Sequence, residues 1–173
     1  MSPEPGMSML IDRVDDSDHV IGTISREQVF RAHANFRVVH VFLFDGEGRL
    51  LIQQLSLTRE RNPGRWGSSV AAYLFAGEVY EEAARRRLWE ELRIRDIELA
   101  VAGKTVMNDN GCRKYISLFT GTCVETLHPD PAHIASVQPV SLANVARMVT
   151  QQPEILTPTF IHVFKYFQSE QTH

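Results

Sequence analysis

Runs and alternations of apolar residues divide this chain into strands and helices. Phe36–Phe44 (FRVVHVFLF) and Arg49–Leu55 (RLLIQQL) are dense in Val, Leu, Ile and Phe, and Asp45-Gly46-Glu47-Gly48 supplies the turn of a hairpin between them. Met9–Val14 and Val20–Ser25 read as a shorter hairpin around Asp15-Asp16-Ser17-Asp18. That acidic stretch is expected to be a solvated turn: as a calcium loop its Gly22 is misplaced and no closing Glu follows. Ser25, with Gln28 three residues on, reads as a capping box opening a short helix. Further strands are expected at Ser68–Phe75, Ile97–Met107, Lys114–Cys123 and His133–Val140, with Asn108-Asp109-Asn110-Gly111 joining Ile97–Met107 to Lys114–Cys123.

Helical periodicity appears in three places. From Val79 to Ile94, Ala84, Leu88 and Leu92 recur at i, i+4, i+8 and form an apolar stripe. Ser141 caps a second helix through Thr150. Thr157-Pro158 opens a third, whose Phe160, Val163, Phe164 and Phe167 form a stripe suited to a core or a homodimer contact. A mixed sheet between helices is an α/β architecture. Residues 1–8, with Pro3, Pro5 and Gly6, read as a loose tail, which leaves 9–173 as one domain.

Composition narrows the function classes. With 173 residues and 43% apolar content, one full core is expected. A formal charge of −3 argues against nonspecific nucleic-acid binding. No apolar run reaches membrane-span length, and MSPEPGMSML has neither a basic n-region nor an apolar h-region, so a cytoplasmic protein is expected. Cys112 and Cys123 give no disulfide framework and are expected to be buried free thiols.

The candidate chemistry sits on the first helix. Glu78 at the turn that feeds it, with Glu90 and Glu91 on one face, offers three carboxylates for a hard divalent cation such as Mg²⁺ or Mn²⁺, whose usual second client is a substrate phosphate. The plainer reading is a solvated helix with Arg86–Glu90 and Arg87–Glu91 as i,i+4 pairs. The loop LTRERNPGRW places Arg59, Arg61 and Arg65 where they can hold phosphate oxygens. Its Trp66 either stacks on a base or, as favoured here, packs as core.

The spacing of these residues is what carries a resemblance. Glu78, Arg86, Leu88, Glu90, Glu91 and Ile94 fall in register on the Nudix box: Gly, five residues, Glu, seven residues, Arg-Glu-aliphatic-any-Glu-Glu-any-Gly-aliphatic. The chain therefore resembles the Nudix superfamily over about residues 10 to 165. The resemblance implies an α/β/α sandwich around a mixed sheet, a small-molecule diphosphate substrate, and a metal held by Glu78, Glu90 and Glu91. Three positions depart from the box: Ala72 replaces the first Gly, Arg93 the late Gly, and Arg87 the first Glu of Arg-Glu. Two unit charges of like sign near 4 Å repel by about 4 kcal/mol at an effective dielectric of about 20, so a guanidinium there opposes a bound cation unless it swings out. Either metal binding is weakened or Arg87 serves the substrate phosphates directly.

Within the superfamily, FRVVHVFLFDGEGRLLI, NPGRWGSSV and GEVYEEAARRRLWEEL look like the isopentenyl-diphosphate isomerase branch, whose members also carry Arg-Arg in the box. The isomerase pattern Ser-Val-Cys-Gly-His reads Ser69-Val70-Ala71-Ala72-Tyr73 here. Its catalytic Cys is thus Ala71 and a metal-binding His is Tyr73. Its upstream histidines align with Val29 and Phe36, and its later paired glutamates with Cys112 and Lys114. Alanine cannot exchange a proton with carbon, so isomerisation is not expected. One carry-over survives: Arg59 matches a Lys that holds diphosphate in that branch. His133 stands near where many Nudix hydrolases place a further acid, and no general base is identified. The expected activity is metal-dependent cleavage of a diphosphate linkage in a nucleoside diphosphate derivative. The alternatives are a Nudix-fold protein that binds a nucleotide or a protein partner without hydrolysis, or a non-hydrolytic reaction on a diphosphate.

Overall fold

The structure, a computed structural model, describes residues 9–172. The expected tail over 1–8 lies outside them. The strands are β1 (Leu10–Val14), β2 (Val20–Ser25), β3 (Phe36–Phe44), β4 (Leu50–Leu55), β5 (Trp66–Gly67), β6 (Val70–Tyr73), β7 (Ala100–Asp109), β8 (Cys112–Thr122) and β9 (Ile134–Val140). The helices are α1 (Tyr80–Leu92), α2 (Leu142–Gln151) and α3 (Pro158–Gln171), with single 3₁₀ turns at Arg26–Gln28 and Pro153–Ile155. None of the described helices is long and apolar enough to cross a membrane.

β3 organises the sheet. It is nearly all buried, as its continuous apolar run requires, and alternate residues feed two cores. Phe36, Val38 and Phe42 pack with Phe160, Val163, Phe164 and Phe167 of α3. Val39, Val41 and Leu43 pack with Ala83, Ala84, Leu88 and Leu92 of α1. The phenylalanine stripe of α3 is thus core, and the layers are α/β/α. β3 runs parallel to β8 from Phe36↔Lys114 to Phe44↔Thr122, and antiparallel to β6.

The β3–β4 hairpin is real but brief: the strands pair only at Phe44↔Leu50 and then diverge. The divergence follows because both strands have other partners. β4 pairs with β5 and β9, while β3 takes β6 and β8. Ser69 fills the seam: its hydroxyl accepts from Leu43 N at 2.8 Å and donates to Leu51 O at 2.5 Å. Its backbone carbonyl is held by Gln53 Nε2 at 2.8 Å and not by the backbone of a neighbouring strand, and the strand expected from Ser68 starts only at Val70.

Other expectations shift for local reasons. β7 and β8 run on to a two-residue turn at Asn110-Gly111, both with positive φ (52° and 87°), so Asp109 pairs with Cys112 inside the ladder. Ser25 makes no cap with its side chain, whereas Ser141 and Thr157 accept from Asn144 N and Phe160 N, each at 3.2 Å. Trp66 packs against the α3-side core. Cys112 and Cys123 are free and buried.

The acidic turn is the clearest correction. Asp18 is buried, not solvated: Arg37 donates to its Oδ1 and to its backbone O at 2.6 Å, Tyr80 donates at 2.8 Å, and Lys104 pairs with it as well. Burial by itself would raise the Asp18 pKa, but these donors outweigh it and hold the carboxyl below its usual range. Asp12 adds a second tie, accepting from Gly77 N at 3.0 Å beside Ala76 N to Leu10 O. The N-terminal hairpin thereby braces the loop that delivers Glu78.

Candidate active site

α1 begins where Glu82 accepts from Val79 N at 2.9 Å, satisfying one of the free donors of the first turn. The helix ends at Arg93 in the left-handed region (φ 57°), with Arg93 N–H reaching back to Leu88 and Trp89. Between these ends its buried stripe faces β3, and its charged side faces the seam between β4 and β6.

Glu78 is committed to Arg86. Arg86 donates to both its oxygens, at 2.9 and 3.0 Å, and Glu78 Oε1 also accepts from Phe75 N at 2.6 Å. Arg86 reaches on to Tyr73 O and Glu90 Oε1, each at 2.9 Å, with its guanidinium over the Phe75 ring. Glu78 and Arg86 therefore form a fixed clamp between the loop, β6 and α1. Arg87 lies on the next face: it donates to Ala71 O at 3.2 Å, and its Nη1 and Nη2 stand 3.6 Å from Glu90 and 3.1 Å from Glu91. It bridges two of the three candidate metal carboxylates.

Glu91 is the buried centre, 1% exposed. Gln53 of β4 donates to Glu91 Oε1 at 3.2 Å while also holding Ser69 O at 2.8 Å. On Oε2, Arg87 is joined by Arg59 Nη1 at 3.7 Å. That Arg59 nitrogen is buried and has no hydrogen-bond partner among the described residues. Burial lowers the Arg59 pKa, Glu91 opposes this, and Arg87 and Arg26 lower it further. Arg26, its guanidinium centre 5.5 Å from the Tyr73 ring, is thus a further cation felt by Arg59, and sequence reading missed it. Its position just after the predicted β2 gave no signal of where it would point.

The structure brings Arg59, Arg87, Glu90 and Glu91 together and ties Glu78 to Arg86, which it shares with Glu90. Among the described residues, no three His, Cys, Asp or Glu side chains are grouped to hold one ion. The donor set does not fit a three-carboxylate cage. Because Arg87 lies against both Glu90 and Glu91, a Mg²⁺ on one or two of these carboxylates, completed by substrate phosphate, would require that guanidinium to be displaced.

Residues 34–160, more than half of the chain, match the NUDIX domain. This protein belongs to the Nudix family. It is 34% identical over 151 residues to an isopentenyl-diphosphate Δ-isomerase of Streptomyces coelicolor, spanning 83% of this chain and 77% of that one. It is also 28% identical over 150 residues to an uncharacterized Nudix hydrolase of Pseudomonas aeruginosa, spanning 85% and 89%. Among solved structures, a Deinococcus radiodurans protein superposes with a TM-score of 0.79 at 22% identity, covering 91% of this chain and 98% of that one. The NUDIX domain of Shewanella oneidensis NrtR, complexed with ADP-ribose, superposes at 0.61 and 15% identity, covering 87% and 100%. The Nudix α/β/α fold and the isomerase-like branch are thereby established.

Proposed function

We propose that this Nudix protein hydrolyses a diphosphate linkage in a nucleoside diphosphate derivative, with Mg²⁺ or Mn²⁺ arriving alongside the substrate. The observation that carries this reading is the pair of guanidinium groups on one buried carboxylate, one of them with an unmet donor. Arg26, Arg59, Arg86 and Arg87 outnumber Glu78, Glu90 and Glu91 by one charge, and a diphosphate answers that excess with charge-assisted hydrogen bonds. Arg59 Nη1 gains the acceptor it lacks. Arg87 exchanges Glu91 for phosphate oxygen and frees Oε2, while Gln53 continues to orient Oε1. When bound there, a divalent ion would polarise a phosphoryl oxygen and lower the pKa of attacking water. The Glu78–Arg86 clamp keeps Glu90 in place. Isomerase chemistry is not part of the proposal, because Ala71 and Tyr73 supply no acid–base pair for carbon.

One observation favours a second reading. Arg87 sits between Glu90 and Glu91, so the site can bind a diphosphate with its own cation and cleave nothing.

The test is turnover with Mg²⁺ or Mn²⁺ on nucleoside-diphosphate sugars, dinucleoside polyphosphates and prenyl diphosphates. Hydrolysis is expected to disappear in Glu91→Gln, and KM to rise about tenfold or more in Arg59→Gln. Tight binding of a panel member without turnover would establish the second reading. Absence of both would overturn the two together.

A further inference from the structure

The segment Phe75–Tyr80, which carries Glu78 into α1, is held at both ends by the N-terminal hairpin. At its start Ile11 bridges Phe75, Ala76 N donates to Leu10 O at 3.0 Å, and Gly77 N donates to Asp12 Oδ2 at 3.0 Å. At its end the Tyr80 hydroxyl donates to Asp18 at 2.8 Å, and Asp18 is itself fixed by Arg37 of β3 and Lys104 of β7. Gly77 takes a positive φ of 85°, a turn that a residue with Cβ would resist. Asp12 is 6% exposed, so its hold on Gly77 N is little shared with solvent.

Arg86 depends on this segment. Its guanidinium centre lies 3.7 Å from the Phe75 ring, and four of its five N–H groups are used, two on Glu78 and one each on Tyr73 O and Glu90. Moving the turn moves Phe75 and both Glu78 oxygens together. Arg86 then either follows them or lets Glu90 go, and Glu90 stands 3.6 Å from Arg87. A continuous series of contacts thus runs from Asp12 through Gly77, Glu78, Arg86 and Glu90 to Arg87. A charged array of this kind keeps its geometry only while supporting contacts hold it to within about 0.5 Å.

We infer that Asp12 and Asp18 are positioning residues for the diphosphate site. By holding the two ends of the Phe75–Tyr80 segment they fix Arg86, and through Arg86 the pair Glu90 and Arg87. The inference rests on the reading of Arg87 as a diphosphate donor. It gives the β1–β2 hairpin, which precedes residues 34–160, a part in setting ligand affinity from outside the matched domain.

Asp12→Ala removes the acceptor for Gly77 N, whereas Asp12→Asn keeps one. Hydrogen exchange at the Arg86 Nε–H, followed by NMR on the intact protein and identified by its loss in Arg86→Lys, reads the clamp without any ligand. Exchange is expected to quicken about fivefold or more in Asp12→Ala and to stay near native in Asp12→Asn. Calorimetry with the four common ribonucleoside diphosphates is expected to show binding weakened by a similar factor in Asp12→Ala and recovered in Asp12→Asn. Tyr80→Phe removes only the hydroxyl on Asp18 and is expected to move both readings in the same direction, which keeps the test valid should Asp12→Ala fail to fold. A merely structural contact would lower the urea midpoint and leave affinity as it is. Native exchange at Arg86 in these variants, or quicker exchange with unchanged affinity, overturns the inference but not the diphosphate reading. Failure of the native chain to bind any diphosphate overturns that reading and the inference with it, whatever the exchange shows.

Discussion

Arg87 makes three contacts that a glutamate at the same place could not, one to Ala71 O and one each to Glu90 and Glu91. Arg87→Glu would set a third carboxylate beside those two. It is expected to tighten Mn²⁺ binding about tenfold and to weaken diphosphate binding by a similar factor, read by calorimetric titration of each. An unchanged Mn²⁺ titration would mean that Glu90 and Glu91 are not a cation site at all. Much of this was legible in the sequence, because Arg86–Glu90 and Arg87–Glu91 follow from helical spacing alone. What surrounds Glu91 was not legible: Gln53 comes from 38 residues away, across a seam whose opening no local pattern announces. Asp18 was misread for the same reason, since its partners Arg37 and Tyr80 lie 19 and 62 residues on.

At the level of elements, α1 shows both how far pattern reading reaches and where it stops. Its apolar stripe, its start and its approximate length were all written in the periodicity, and it spans Tyr80–Leu92. The hairpin of β3 and β4 was read correctly as two strands and a turn, but how briefly the strands pair was not legible. Apolar density reports burial and is silent on which edge a strand offers to which neighbour. The end of α1 carries a testable cost. Arg93 occupies the left-handed cap where the Nudix box has Gly, and a side chain in that conformation costs about 1 kcal/mol. It returns a little through its guanidinium, 5.2 Å from the Trp89 ring, although Arg95 already stacks there at 3.7 Å. Arg93→Gly is therefore expected to stabilise the fold by roughly 0.5 kcal/mol or more, seen as a higher urea midpoint at unchanged m-value. A lower midpoint would show that the Arg93–Trp89 contact outweighs the backbone strain.

For the whole molecule, the two cores are unequal in kind. The α1 side gathers its buried polar groups at one place, around Glu91 and Gln53, whereas the α3 side spreads them among its phenylalanines: His40 bonded to Ser68 at 2.7 Å, Lys114 to Asp109 and Thr159, and His162 to Thr105 at 3.0 Å. Such a core must respond to pH. His40 is 5% exposed, and burial first, then Lys114 and His162, push its pKa from 6.5 down to about 3. Between those two values the unfolded chain takes up a proton at His40 and the folded chain does not. Stability is therefore lost as pH falls from 6.5 towards 3, by at most about 1.4 kcal/mol per pH unit from this one group. Asp18 adds a loss of the same sign, but only below its unfolded value of 3.8, because its folded pKa is depressed. The interval from pH 6.5 to 4.5 consequently isolates the imidazoles from the Asp18 clasp. Urea unfolding across that interval is expected to give a shallower pH slope for His40→Gln than for the native chain. His162, whose pKa is lowered mainly by burial and next by Lys114, contributes part of the remainder, so His40→Gln/His162→Gln should be flatter still. A native slope that persists undiminished in His40→Gln would show that this imidazole is protonated in the fold, which the buried Lys114 and the half-buried His162 make costly.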